Sequence, residues 1–209
     1  MAKFYNAFAG SSIERIAALS DGLFAIAMTL IVLEVHVPEA HGIANDTALL
    51  GALVDLAPRM LTYVLSFLTL GIFWVGQQTQ LNHLKRADRD LSWLHLLFLA
   101  LIATMPFSTS LLANFITFRL ALVIYWLNIL VLGVVLFFTW SYAQRHQLVD
   151  DDLSPEASAA ICRRIIIAQS LYAFGAALCV YNTYWSIGFI VLVQLNYVIA
   201  PRLPWLERI

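Results

Sequence analysis

An all-α membrane protein with six transmembrane helices is the fold class that this sequence predicts. Three observations predict it. Of 209 residues, 61% are hydrophobic and 12% are charged, and the mean hydropathy is +0.80; a soluble domain is nearer half apolar and a quarter charged. Six stretches meet the length that a bilayer core of ~30 Å demands, roughly 20 helical residues at ~1.5 Å each. The basic residues sort to one side of those stretches, as expected of a multi-pass chain.

The first stretch is Ile13 to Val35. The second runs from about Leu49 to Val75, with Pro58 and Arg59 near its outer end, and the third from Leu91 to Ala113, carrying Pro106. The fourth is Leu120 to Ala143, the fifth Ala160 to Val180, and the sixth Tyr184 to Ile199, closed by Pro201. The connections are short, so residues 1–209 read as a single six-helix unit with no large soluble domain. The longest connections are Val37 to Ala48, polar and acidic, and Arg145 to Ser158. The second of these holds Asp150-Asp151-Asp152 and then Ser154-Pro155-Glu156, the residues of a helix start. Ser154 suits the N-cap, Pro155 the first turn, and Glu156 the positive end of the dipole.

With the N-terminus inside, Lys3, Arg15, Lys85, Arg86, Arg89, Arg145, Arg163, Arg164, Arg202 and Arg208 gather on the inner side. That is ten of the twelve basic residues; only Arg59 and Arg119 lie outside. Both termini are then cytoplasmic in a cell (inner) membrane, which agrees with an even number of spans. The net charge of −1 gives no reason to expect nucleic acid. Cys162 and Cys179 fall in one apolar segment and read as small buried hydrophobes, without disulfide or metal-ligand spacing. The opening segment MAKFYNAFAGSSIE has no long apolar core and no small-residue cleavage site, so it does not read as a cleaved signal peptide.

The first stretch carries an unusual mixture. Ser20-Asp21-Gly22 suits a helix N-cap, but a helix from Gly22 to Leu33 spans only about 18 Å, too short to cross. Starting near Ile13 gives about 34 Å and places Ser20 and Asp21 roughly two turns inside. An aspartate at that depth costs a few kcal/mol unless it faces protein or water and has a partner. A structural or gating role and a residual cap or kink both remain open on these residues. At about 100° per residue, Arg15, Leu19, Gly22, Ile26, Leu30 and Leu33 share one narrow face, with Thr29 at its edge. Asp21 points about 140° from Ile26, so it is expected to bury against other helices. The aliphatic stripe, on periodicity alone, fits lipid contact or ordinary packing.

Arg15-Ile-Ala-Ala-Leu19-Ser20-Asp21-Gly22, continued by LFAIAMTLIVLE, resembles the first-helix signature of the transmembrane protein 175 family of potassium channels, in which Arg and three residues precede Phe-Ser-Asp. Gly71-Ile-Phe-Trp74 and Pro106-Phe-Ser-Thr extend the resemblance across essentially the whole chain. The resemblance implies a prokaryotic member with six spans per subunit, forming a homotetramer whose hourglass central pore is lined by the first helix. By offset from the Ser-Asp pair, the pore constriction is Ile26, Leu30 and Leu33, and Thr29 matches a pore-proximal threonine linked to selectivity. Arg15, Ser20 and Asp21 match a polar network that ties the first helix to its neighbours. Two departures stand out. Leu19 replaces the family phenylalanine, and Gln77 and Gln78 stand where relatives often carry histidines. Glutamine hydrogen-bonds but does not titrate.

The motif occurs once, and one helix cannot enclose a path, so a conducting unit needs several chains around an axis. A constriction of aliphatic rings gates by dewetting. Outside, Glu34, Glu39, Asp46 and Asp55 outnumber Arg59 and Arg119 and favour cations at the mouth. There is no Thr-Val-Gly-Tyr-Gly filter and no arginine ladder, so preference for potassium rests on the resemblance. The implied partners are the lipid bilayer, copies of this chain and the permeant potassium ion, with no cofactor. A secondary transporter of a small cation is the alternative; it calls for internal repeats, broken helices and polar groups near the midplane. Gly71, Gly76 and Pro106 permit breaks, but beyond Ser20 and Asp21 the spans are poor in charge. An intramembrane enzyme is disfavoured, because Asp21 lacks a second deep aspartate. Glu34, His36, Glu39 and His41 read as a solvated loop rather than a metal site, and His83 and His95 as packing or interfacial residues.

Overall fold

The computed structural model describes residues 12–40 and 43–199. Lys3, His41, Pro201, Arg202, Arg208 and most of the N-terminal segment discussed above lie outside the described residues. In chain order the helices are α1 (Ile13–Leu30), α2 (Asp46–Asp55), α3 (Ala57–Leu81), α4 (Arg89–Ala103), α5 (Met105–Asn114), α6 (Arg119–Arg145), α7 (Pro155–Ala177) and α8 (Thr183–Ile199). A 3₁₀ turn, Ile31–Glu34, extends α1, and another, Leu178–Val180, extends α7. Side-chain oxygens open four of these helices. Ser12, Asn45, Asp88 and Ser154 accept from the backbone N–H three residues on, at 3.3, 2.9, 2.8 and 3.2 Å. Ser154-Pro155-Glu156 is therefore a helix start, as its residues suggest.

Among the described residues, five helical stretches are long and apolar enough to cross a membrane: Ile13–Glu34, Ala57–Leu81, Arg89–Asn114, Arg119–Arg145 and Pro155–Val180. Thr183–Ile199 is apolar and has 17 described residues, the lower end of the roughly 17–25 that a crossing takes. The second stretch differs most from expectation. Instead of one helix from Leu49 to Val75, a short α2 ends at Asp55 and α3 carries on from Ala57 to Leu81. Pro58 is the cause: it has no N–H to give to the turn before it, and its ring clashes with that turn's carbonyl. The ladder resumes with Met60 N–H donating to Leu56 O at 3.0 Å. Pro106 breaks the third stretch at Thr104 in the same way, leaving α4 and α5 in succession.

The centre of the bundle is α6, which packs on α4, α5 and α7. Its Tyr125, Leu132 and Trp140 are fully buried. Where α7 meets α8, Gly175 permits a close approach, since a Cβ there would lie 2.8 Å from Ile190 Cγ1. A seam of hydroxyl and amide groups crosses this apolar interior. Thr109 donates to Ser66 at 2.8 Å, Ser66 to the Tyr125 hydroxyl at 3.2 Å, and Gln194 Nε2 to Thr69 Oγ1 at 2.6 Å. Thr69 Oγ1 is also 3.0 Å from the Tyr125 hydroxyl. In lipid such bonds join helices at about 0.6 kcal/mol each, up to about 1.7. Replacing Thr69 with valine is expected to lower the thermal midpoint of the purified protein by about 2–4 °C, taking ~1 kcal/mol as the loss. A midpoint equal to wild type would show that the seam adds nothing to stability.

At the end of the bundle where α3 and α6 finish, the two connections are stapled together. Lys85 N–H donates to Leu148 O at 3.0 Å, Asp150 N–H to His83 O at 2.9 Å, and Lys85 Nζ pairs with Asp151 at 2.6 Å. The Tyr142 hydroxyl donates to Asp88 Oδ2 at 2.9 Å.

Candidate functional site

Helix α1 packs on α3 and α4 and lies at the edge of the bundle. Its packed face is Ser20, Phe24, Ala27 and Ile31, spaced four, three and four apart, all at 2% exposure or less. Turned away from that face, Ile26, Leu30 and Leu33 are 59%, 44% and 66% exposed. The aliphatic stripe is therefore uncovered by the described residues while the opposite side of the same helix is sealed. The 3₁₀ turn sharpens the stripe. At about 120° per residue instead of about 100°, Leu33 lines up with Leu30 rather than falling about 60° short of it. Thr29 is exposed at the edge of the stripe, and its hydroxyl donates to Ile26 O at 2.8 Å, leaving the oxygen free to accept.

Asp21 joins α1 to α3. Its Oδ1 accepts from Trp74 Nε1 at 2.8 Å and from Gln78 Nε2 at 2.7 Å. Trp74 and Gln78 are one turn apart on α3, so one carboxylate oxygen serves both donors. The expectation that Asp21 would bury is corrected here: it is exposed, at the rim of a crevice that a single chain leaves open. Its two neighbours in the proposed network behave differently. Ser20 is buried, but its hydroxyl donates to Ile16 O at 2.8 Å within its own helix. The Arg15 side chain is exposed and makes no ion pair among the described residues. Among the described residues, Asp21 alone of the three reaches another helix by hydrogen bonding. Gln77, beside Gln78 in sequence, turns inward, with its Nε2 3.4 Å from Nδ1 of the buried His95.

A second anchor, which the sequence alone did not reveal, holds the other end. Ser110 Oγ donates to Glu34 Oε2 at 2.7 Å, joining the end of the 3₁₀ turn to α5. Asn114 Nδ2 donates to Ser110 O at 2.9 Å, and Arg59 Nη2 reaches Asn114 Oδ1 at 3.4 Å. Because Ser110 lies 76 residues from Glu34, only the fold shows the pair. Among the described residues no group of three or more His, Cys, Asp or Glu side chains is placed to hold a metal ion.

The model of the family described as "Endosomal/lysosomal potassium channel TMEM175" matches residues 15–106, the part of the chain that carries both anchors of α1 except Ser110 and Asn114. A protein named as a potassium channel from Chamaesiphon minutus is 31% identical over 182 residues, covering 85% of this chain and 89% of that relative. The chain belongs to the TMEM175 family. A crystal structure described as a lysosomal potassium-selective channel TMEM175 homolog from Chamaesiphon minutus superposes with a TM-score of 0.76 at 28% identity, over 91% of this chain and 98% of that one. A Streptomyces collinus protein, also named as a potassium channel, is 41% identical over 102 residues, 49% of this chain and 48% of that relative. The chain thus matches about half the length of that relative. The human relative, named as an endosomal/lysosomal proton channel, is matched over 19% of its length at 34% identity. That relative is thus named as a proton channel, whereas the bacterial relatives are named as potassium channels.

Proposed function

We propose that this TMEM175 chain forms a potassium-permeable cation channel. In this reading four copies surround an hourglass pore lined by α1, with rings of Ile26, Leu30 and Leu33 as a hydrophobic gate. One observation carries the reading: α1 is sealed and pinned on one side and leaves its aliphatic stripe uncovered on the other. An unpartnered apolar stripe on a helix fixed at both ends suits contact with its own copies around an axis. Narrow aliphatic rings empty of water, and an ion does not cross them dehydrated, so conduction needs the rings to widen. Thr29 places an accepting oxygen beside the constriction, where it can contact a partly dehydrated cation. The proposed unit is a single six-span domain, with α8 as the sixth span and both termini on the cytoplasmic side of a cell (inner) membrane. No catalytic step, metal or cofactor belongs to this mechanism.

The test is the subunit count of the purified protein together with its reversal potential under a potassium/sodium gradient in planar bilayers. Four subunits and a potential near that of potassium are expected. A monomer, or coupled uptake without unitary currents, would overturn the reading. Proton permeation is the second reading, favoured by the name of the vertebrate relatives. A pH gradient imposed in the same recordings separates the two, since only a proton path shifts the reversal potential with it.

The outer anchor bears on gating in this reading. Replacing Glu34 with alanine leaves Ser110 without its charged acceptor, a bond type of about 1.5–3 kcal/mol. Roughly a tenfold change in open probability is expected at unchanged subunit number. Wild-type open probability in single-channel records would remove Glu34 from the gate's support.

A further inference from the structure

Behind α1, a crevice of about 850 Å³ opens between α1, α3, α7 and α8. Its walls include Phe24 and Met28 of α1, Phe67 and Ile72 of α3, and Ile165 and Ala168 of α7. Along α7 the lining runs from Ala160 to Tyr172, about 18 Å at ~1.5 Å per residue. One hydrocarbon leaflet is about 15 Å deep, half of a ~30 Å core. The crevice is thus as long as an acyl chain's half of the bilayer.

Two charged side chains face this space, Asp21 and Arg164. Asp21 holds its two donors on α3. Arg164 makes no ion pair among the described residues; its guanidinium lies over the Tyr197 ring, 5.6 Å from the centroid. It stands four residues, about 6 Å, inside the Ala160 end of the crevice. A cation at such a depth is costly unless water or an anion meets it, and a long arginine stem lets the head reach back to the interface. There the abundant anions are lipid phosphates, which a guanidinium binds through two parallel hydrogen bonds. Arg163, exposed on the next position, lines the neighbouring groove with Cys162 and Ile167 and adds a second positive charge at the same level of α7.

We propose that this crevice is a phospholipid site, with one acyl chain between α1, α3 and α7 and the phosphate on Arg164. The occupant is an anionic phospholipid of the leaflet on the Pro155 side of α7, since two adjacent arginines favour negative head groups. Phe24, Ala25 and Met28 form the crevice wall from the back of α1. A bound chain therefore touches the helix that carries Ile26 and Leu30, on the side away from them.

The test uses full-length protein in vesicles of phosphatidylglycerol and phosphatidylcholine, the former carrying a photoreactive group at the end of one acyl chain. Irradiation is expected to label peptides containing Phe67–Val75 and Ala168–Tyr172. Native mass spectrometry after detergent washing is expected to find phosphatidylglycerol retained by wild type. Retention should fall roughly tenfold in Arg164→Gln, which removes the charge, and in Ala168→Trp, which fills the groove, at unchanged subunit number. Labelling confined to peptides outside the crevice overturns the site, as does equal retention in all three proteins. A changed subunit number in Ala168→Trp with lipid retention intact assigns the crevice to a second copy of the chain and overturns it too. Potassium flux plays no part in these readouts, so a chain that binds lipid but does not conduct sinks the channel reading alone.

Discussion

Asparagine in place of Ile26 is expected to raise the basal current at least tenfold. The reasoning starts from the exposed stripe on α1. An isoleucine or leucine side chain resists hydration by about 1.5–3 kcal/mol, and every ~1.4 kcal/mol is a factor of ten in population. An amide at the constriction offers a donor and an acceptor to water, so the narrow segment stays wet and the closed state loses its barrier. Leu30→Asn should act in the same direction, because Leu30 lies one turn further along the same face. The measurement is basal open time in single-channel records, checked by potassium efflux from proteoliposomes. Unchanged currents in both variants would mean that the stripe faces something other than an ion path.

Replacing Asp21 with alanine is expected to have the second largest effect, on assembly or opening. The substitution strips Trp74 Nε1 and Gln78 Nε2 of the one oxygen they share. Hydrogen bonds to a charged group contribute about 1.5–3 kcal/mol each, so two amount to roughly a hundredfold or more in the population of the anchored state. Tetramer yield by size and current per unit of reconstituted protein are the readouts. Asp21→Asn keeps an accepting oxygen in place and should restore part of the function. Wild-type yield and current in the alanine variant would count against the anchor.

The two faces of α1 were legible in the sequence because helical periodicity alone separates Asp21 from Ile26 by about 140°. Periodicity also marked the long apolar runs, whose helical ends in the structure mostly fall within a few residues of expectation. The second run is the exception. Apolar residues flank Asp55, Pro58 and Arg59 on both sides, so composition reads one helix where Pro58, with no N–H to donate, opens a second. Partners were the harder part. An aspartate inside a span must find a donor, but only the docking of α1 on α3 selects Trp74 and Gln78. Gln77 and Gln78 are neighbours in sequence with opposite fates, because one step of about 100° turns one toward His95 and the other toward Asp21. Glu34 read as one of several acids at an outer mouth, and no local pattern links it to Ser110.

The 3₁₀ turn Ile31–Glu34 gives the end of α1 a degree of freedom that the rest of the helix lacks. A 3₁₀ helix rises about 2.0 Å per residue against about 1.5 Å for an α-helix, and turns about 20° more. Rewinding these four residues as α-helix would shorten the segment by about 2 Å and swing Leu33 by about 60° relative to Leu30. The motion is about a sixth of a turn of unwinding coupled to that shortening. It needs neither a hinge nor a shift of the bundle, only that the Glu34 carboxylate let go of Ser110 or carry it along.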